Sequence, residues 1–136
     1  MMLVDTSVWI DHFNAHDSPE AIRLQQAITN NEPIALCGII LTELLIGLRS
    51  EQKASEVENL MAAFDWLPEP DHSDYSQAAQ IFRNCRSKGI TIRSTIDCLI
   101  AAQCIRHKTP ILTKDRDFVQ ISTHHPLTQI DPNHAP

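Results

Sequence analysis

Apolar residues along this chain fall into short runs that alternate with longer stretches of helical spacing. Met2 to Val4 is a brief apolar run ending at Asp5-Thr6-Ser7, and Val8, Trp9, Ile10 and Phe13 then follow at helical intervals. The pattern predicts a strand feeding a helix. Ser18-Pro19-Glu20 is a helix start, with Ser as N-cap and Pro in the first turn, followed by Ile22, Leu24, Ala27 and Ile28 up to a stop at Asn30 to Pro33. Ile34 to Cys37 reads as a second strand. Ile39 to Leu48 is apolar almost all round and is expected as a buried helix. An amphipathic helix is expected over 51–65, and then an extended crossing segment from Trp66 to Pro70, where proline forbids helix. Ser73 or Asp74 is expected to cap a helix that gives out near Gly89, and Ser94 or Thr95 to cap another running from Ile96 to His107. Pro110 to Thr113 reads as a strand, Asp117 to Ile121 as a short helix, and Leu127 to Ile130 as a last short strand. Strands alternating with helices define an α/β three-layer α/β/α domain with a short, mainly parallel central sheet. The expected organisation is a single domain over 1–130, with 131–136 as a frayed tail.

Composition narrows the chemistry. The chain has 136 residues, within the commonest range for one domain, and 43% are apolar, enough for a core. Only 5% are aromatic, which speaks against a single-strand reader built on stacking platforms. With three glycines, at 38, 47 and 89, neither a GxGxxG turn nor a GxxxxGK[ST] phosphate loop can be written. The opening segment meets a charge at Asp5 and lacks a basic leader, so neither a signal peptide nor a membrane span is expected there. The four cysteines show no CxxC spacing and are expected as reduced core residues of a cytoplasmic protein.

The formal net charge is −6, which argues against a protein that coats nucleic acid through bulk charge. Its distribution changes that picture. Residues 83–116 hold eight of the eleven basic side chains, Arg83, Arg86, Lys88, Arg93, Arg106, Lys108, Lys114 and Arg116, against only Asp97 and Asp115. The plain explanation is a solvated helix face, and the sharper one is a local phosphate-binding stripe on an acidic body.

Four carboxylates stand in apolar company. Asp5 and Asp115 each follow a strand, where open α/β sheets gather ligand sites. Asp97 lies in the first turn of an apolar helix, although Ser94-x-x-Asp97 also matches a capping box. Glu43 is the only charge between Cys37 and Leu48, with no Lys or Arg one turn away. A carboxylate in such surroundings needs a partner, because desolvating it uncompensated costs several kcal/mol. One divalent ion would satisfy all four. All-oxygen ligands point to Mg²⁺ or Mn²⁺, and such a site supports phosphoryl chemistry by activating water and offsetting transition-state charge.

These segments resemble those of a known family. Val4-Asp5-Thr6-Ser7-Val8-Trp9-Ile10, Leu41-Thr42-Glu43-Leu44, Ser94-Thr95-Ile96-Asp97-Cys98-Leu99-Ile100-Ala101 and Leu112-Thr113-Lys114-Asp115-Arg116-Asp117-Phe118 occur in the order and spacing of PIN-domain ribonucleases, and more closely of VapC toxins of type II toxin-antitoxin systems. The resemblance covers essentially the whole chain. It implies a metal-dependent endoribonuclease in which Asp5, Glu43, Asp97 and Asp115 form the acidic cluster around Mg²⁺ or Mn²⁺. Asp117 matches a more variable fifth acid, and Thr6, Ser7 and Thr113 match polar residues that hold ligands or water. It also implies hydrolysis leaving 5′-phosphate and 3′-hydroxyl ends, a homodimer, and inhibition by a cognate antitoxin. Under this reading Arg83, Arg86, Lys88, Arg93, Lys114 and Arg116 are RNA-contact candidates, since they lead into Asp97 or flank Asp115. The alternative is a catalytically silent PIN-like protein-interaction module. A haloacid-dehalogenase-type phosphatase would need a second Asp where Ser7 stands, and a receiver domain would lack Glu43.

Overall fold

A computed structural model describes residues 1–134; the last two residues of the expected tail, at 135 and 136, lie outside the described residues. Four short strands, β1 (Met2–Val4), β2 (Ile34–Leu36), β3 (Asp65–Trp66) and β4 (Ile111–Leu112), form one sheet in the order β3-β2-β1-β4, and every pair is parallel. Both central strands are buried at every position, as expected for a parallel sheet covered on two faces. The helices fall into two packed groups. α1 (Thr6–Phe13) packs on α2 (Pro19–Thr29) and on α3 (Gly38–Ile46), which meets α4 (Glu51–Met61); α5 (His72–Ser87), α6 (Thr95–Arg106) and α7 (Arg116–His124) pack on one another. This is the three-layer α/β/α domain that the alternation of elements predicts.

One apolar core runs through the sheet, with Leu3, Val4, Trp9, Leu36, Ile100, Leu112, Phe118 and Ile121 fully shielded from water. Burying side chains of this size contributes about 1.5–3 kcal/mol each. Trp9 stacks on Phe13 at 5.8 Å and tilts against Phe64 at 5.3 Å, which anchors the first turn of α1. All four cysteines are buried and free, and burial pushes the Cys37 and Cys98 thiols up to about 11. Unpaired and protonated, they behave as small core hydrophobes.

The structure departs from several sequence expectations. The helix expected over 51–65 ends at Met61, and Asp65–Trp66 then pairs with β2 as a fourth strand, a length too short for alternation to reveal. Neither Ser73 nor Asp74 caps α5. Asp71 does, in a reciprocal capping box whose N3 residue is Asp74. Gly89, at φ +77°, lies just beyond the end of that helix. The helix after Cys37 is not buried all round: only Ile40 and Leu44 are shielded, and Ile46 is 78% exposed, because α3 packs on α1 and α4 and leaves its other face open. Instead of a strand at Leu127 to Ile130, one parallel bridge joins Gln129 to Ile111, with Pro126 and Pro132 bracketing the segment.

Candidate active site

The carboxyl ends of the two neighbouring strands β1 and β4 place Asp5 and Asp115 side by side in the fold, because Leu3 pairs with Ile111 and Val4 with Leu112. Each acid is also the N-cap of the helix that follows. Thr113 ties the two turns together: its hydroxyl donates to Asp5 Oδ2 at 2.9 Å and accepts from the Asp115 backbone N–H at 2.9 Å. Ser7 Oγ donates to the same Asp5 Oδ2 at 2.8 Å and accepts from the Lys114 N–H at 3.1 Å. Both hydroxyls thus grip the same oxygen of the Asp5 carboxylate.

Glu43, in the middle of α3, is brought to this turn by Thr6, whose Oγ1 donates to Glu43 Oε1 at 2.9 Å. Thr6, Ser7 and Thr113, the polar residues expected beside the acids, each donate a hydroxyl hydrogen bond to Glu43 or Asp5. Asp97 arrives from the first turn of α6. It is not the partner in a capping box: Ser94 caps α6 by accepting from the Ile96 N–H, while the buried Asp97 carboxylate accepts no hydrogen bond from the described residues. Asp97, Asp115 and Asp117 each offer an oxygen within 4.8 Å of the others.

The electrostatics follow from this crowding. Burial, and then the like charges of Asp115, Asp5, Asp117 and Glu43, push the Asp97 carboxyl up to about 7. Burial also raises Asp5, against the opposing hydrogen bonds from Ser7 and Thr113. A buried carboxylate without donors among four like charges is the environment that a hard cation relieves. The donor set fits Mg²⁺ or Mn²⁺: every candidate ligand is oxygen, and the side-chain hydrogen bonds that orient Asp5, Glu43 and Asp115 fall on a single oxygen of each.

The basic candidates divide. Arg83, Arg86, Lys88 and Arg116 are exposed, and the Arg86 guanidinium lies 5.7 Å from the Phe82 ring centre. Arg93 instead bends onto the acids, with Nη2 3.1 Å from Asp115 Oδ1 and Nε 3.3 Å from Asp117 Oδ2. Lys114 Nζ bonds Asp11 Oδ2 at 2.6 Å, and Arg106 pairs with Asp71 and Asp74. Sequence reasoning missed Asp11, Asp71 and Asp74 as partners that consume positive charge. Their contacts span 32 to 103 positions, so no local spacing could have revealed them.

A parallel sheet whose strand ends gather a carboxylate cluster defines a class, and the PIN domain family model matches residues 2–123 of this chain. The chain belongs to the PIN domain family. Within it, the chain is 37% identical over 119 residues to the VapC ribonuclease Mb1587 of Mycobacterium bovis and to ribonuclease VapC11 of Mycobacterium tuberculosis, covering 87% of this chain and 89% of each relative. The fold is also that of VapBC2 from Rickettsia felis, solved bound to a DNA fragment from its promoter (TM-score 0.73, 20% identity, 95% of this chain and 96% of that one). VapBC-1 from nontypeable Haemophilus influenzae matches with a TM-score of 0.74 at 17% identity, over 98% of both chains.

Proposed function

We propose that this chain is a metal-dependent endoribonuclease, the toxin of a toxin-antitoxin pair, which hydrolyses RNA phosphodiester bonds at a Mg²⁺ or Mn²⁺ centre held by Asp5, Glu43, Asp97 and Asp115. The observation that carries the reading is the cluster of Asp97, Asp115 and Asp117, each offering an oxygen within 4.8 Å of the others, with Asp5 and Glu43 near enough for their like charges to bear on Asp97. The family supports the same reaction class.

When bound, the ion supplies Lewis-acid chemistry, lowering the pKa of a water and offsetting charge on the scissile phosphate. The chain's own residues prepare for it. Thr6 orients Glu43 through Oε1, and Ser7 and Thr113 orient Asp5 through Oδ2, so the remaining oxygen of each would be the one to meet the ion. The Asp117 N–H holds Asp115 through Oδ1. In the net reaction water adds to phosphorus and the bond to the 3′ oxygen breaks, giving a 3′-hydroxyl and a 5′-phosphate. The exposed Arg83, Arg86, Lys88 and Arg116 draw RNA phosphates towards the site. Two apolar surfaces support protein partners, an antitoxin and a second copy of the chain: one includes Ile10, Phe13 and Leu48, the other Tyr75, Phe82 and Leu99. No helix among the described residues is long and apolar enough to cross a membrane, and the proposed place of action is the cytoplasm.

The test is RNA cleavage by the wild type, Asp5→Asn and Asp97→Asn with Mg²⁺, Mn²⁺ or EDTA, alongside melting curves. The wild type should cleave only with metal, and each variant should lose roughly 100-fold or more while staying folded. Cleavage that survives both chelation and substitution refutes the metal-carboxylate mechanism. A folded wild type that cuts no RNA but still binds a partner protein would favour the silent interaction module.

A further inference from the structure

The acidic cluster has two sides, and only one is free of protein cations. On the Asp115 and Asp117 side, Arg93 contributes three donors: its backbone N–H and Nε both reach Asp117 Oδ2, at 3.1 and 3.3 Å, and its Nη2 reaches Asp115 Oδ1 at 3.1 Å. Asp115 Oδ1 also accepts from the Asp117 N–H at 2.9 Å. One oxygen of each acid is therefore committed twice. Among the described residues no other Lys or Arg pairs with any of the five acids, and the side-chain donors to Asp5 and Glu43 are the uncharged hydroxyls of Ser7, Thr113 and Thr6.

We infer that Arg93 is a built-in cation that occupies the Asp115–Asp117 side of the cluster and so limits the centre to one divalent ion, with Asp117 bracing Arg93 and Asp115 instead of binding metal. This rests on the metal-centre reading above. The physical basis is charge balance and oxygen availability. Asp97, Asp115 and Asp117 are spaced closely enough to hold an ion by themselves, yet a guanidinium already bridges two of the three. A second divalent ion there would have to displace a fixed positive charge from two oriented hydrogen-bonded contacts, with like-charge repulsion from Arg93 if the side chain stayed close. The Arg93 side chain is otherwise 73% exposed, so its engagement with the acids is not a by-product of core packing. It acts as a positioning residue through Asp115 and Asp117.

The experiment counts ions directly. Mn²⁺ alone is titrated into the folded, metal-stripped protein and followed by calorimetry and by the electron paramagnetic resonance of free Mn²⁺, with circular dichroism as the check on folding. The wild type should bind one Mn²⁺ per chain. Arg93→Gln, which keeps a polar side chain but not the charge, should bind a second, and so should Arg93→Ala. Arg93→Lys, which keeps the charge, should remain at one. A single ion of unchanged Kd in both uncharged variants overturns the inference and leaves the metal centre standing, and so does a wild type that binds two. A wild type that binds none overturns both readings.

Discussion

Asp97 is the residue on which the local electrostatics converge. Its ordinary carboxyl titrates near 3.8, and burial followed by the four neighbouring acids moves it up to about 7. The folded chain therefore binds a proton that the unfolded chain has released across that interval, so this group's stabilising contribution is complete below about pH 4 and is lost as pH rises through about 7. In EDTA the wild type should melt at falling temperature across this window. Asp97→Asn should hold a flatter profile, melting a few degrees above the wild type at pH 8 and converging with it near pH 4, the gap kept modest by solvent screening. With Mn²⁺ present the order should reverse, because only the wild type gains full stabilisation from the bound ion. Parallel melting profiles for the two proteins in EDTA would rule out Asp97 as the group that senses the cluster.

At the scale of elements, the site is a product of register. Because β1 and β4 pair directly, their following turns abut, and one hydroxyl, Thr113 Oγ1, links Asp5 to the backbone of Asp115. Thr113→Val keeps the shape and removes both hydrogen bonds. It should weaken Mn²⁺ binding or cleavage about 10–100-fold, as loss of a group that orients a ligand does, while costing only about 1–2 kcal/mol of stability. Calorimetric Mn²⁺ affinity and urea unfolding measured on the same preparation check the two halves. Much of this arrangement was legible in the sequence. An apolar run closing on an acid marks a strand end, and alternating elements imply a parallel sheet; Glu43 stands out as a lone charge in an apolar helix, although the open face of α3 leaves it half-buried rather than buried. What local pattern could not carry was whatever depends on distant packing. The two-residue strand β3 has no periodicity to read, the open face of α3 depends on which helices reach it, and Arg93 meets Asp117 across 24 positions. Asp97 shows the same limit in reverse: its spacing from Ser94 satisfies a capping box, yet tertiary crowding assigns its carboxylate to the cluster.

For the whole molecule, the basic stretch from 83 to 116 shrinks once its pairings are known. Arg93, Arg106 and Lys114 are spent on Asp117 and Asp115, on Asp71 and Asp74, and on Asp11 respectively. Among the described residues Arg83, Arg86, Lys88, Lys108 and Arg116 form no ion pair, which leaves them as the cations able to meet a polyanion. Long-range attraction on a chain of net charge −6 must come from such a local concentration, and salt should screen it strongly. Each phosphate contact to a single strand adds roughly 0.7 to the slope of log affinity against log salt. Arg83→Glu with Arg86→Glu, made in the Asp97→Asn background so that RNA is not consumed, should therefore weaken binding and lower that slope by about 1.4 if both side chains meet phosphates. Arg106→Gln, which removes the ion pairs to Asp71 and Asp74, should leave the slope where it was. Fluorescence anisotropy of a labelled RNA across a salt series separates the cases. An unchanged slope in the double variant would move the phosphate path away from α5 and onto Lys88, Lys108 or Arg116.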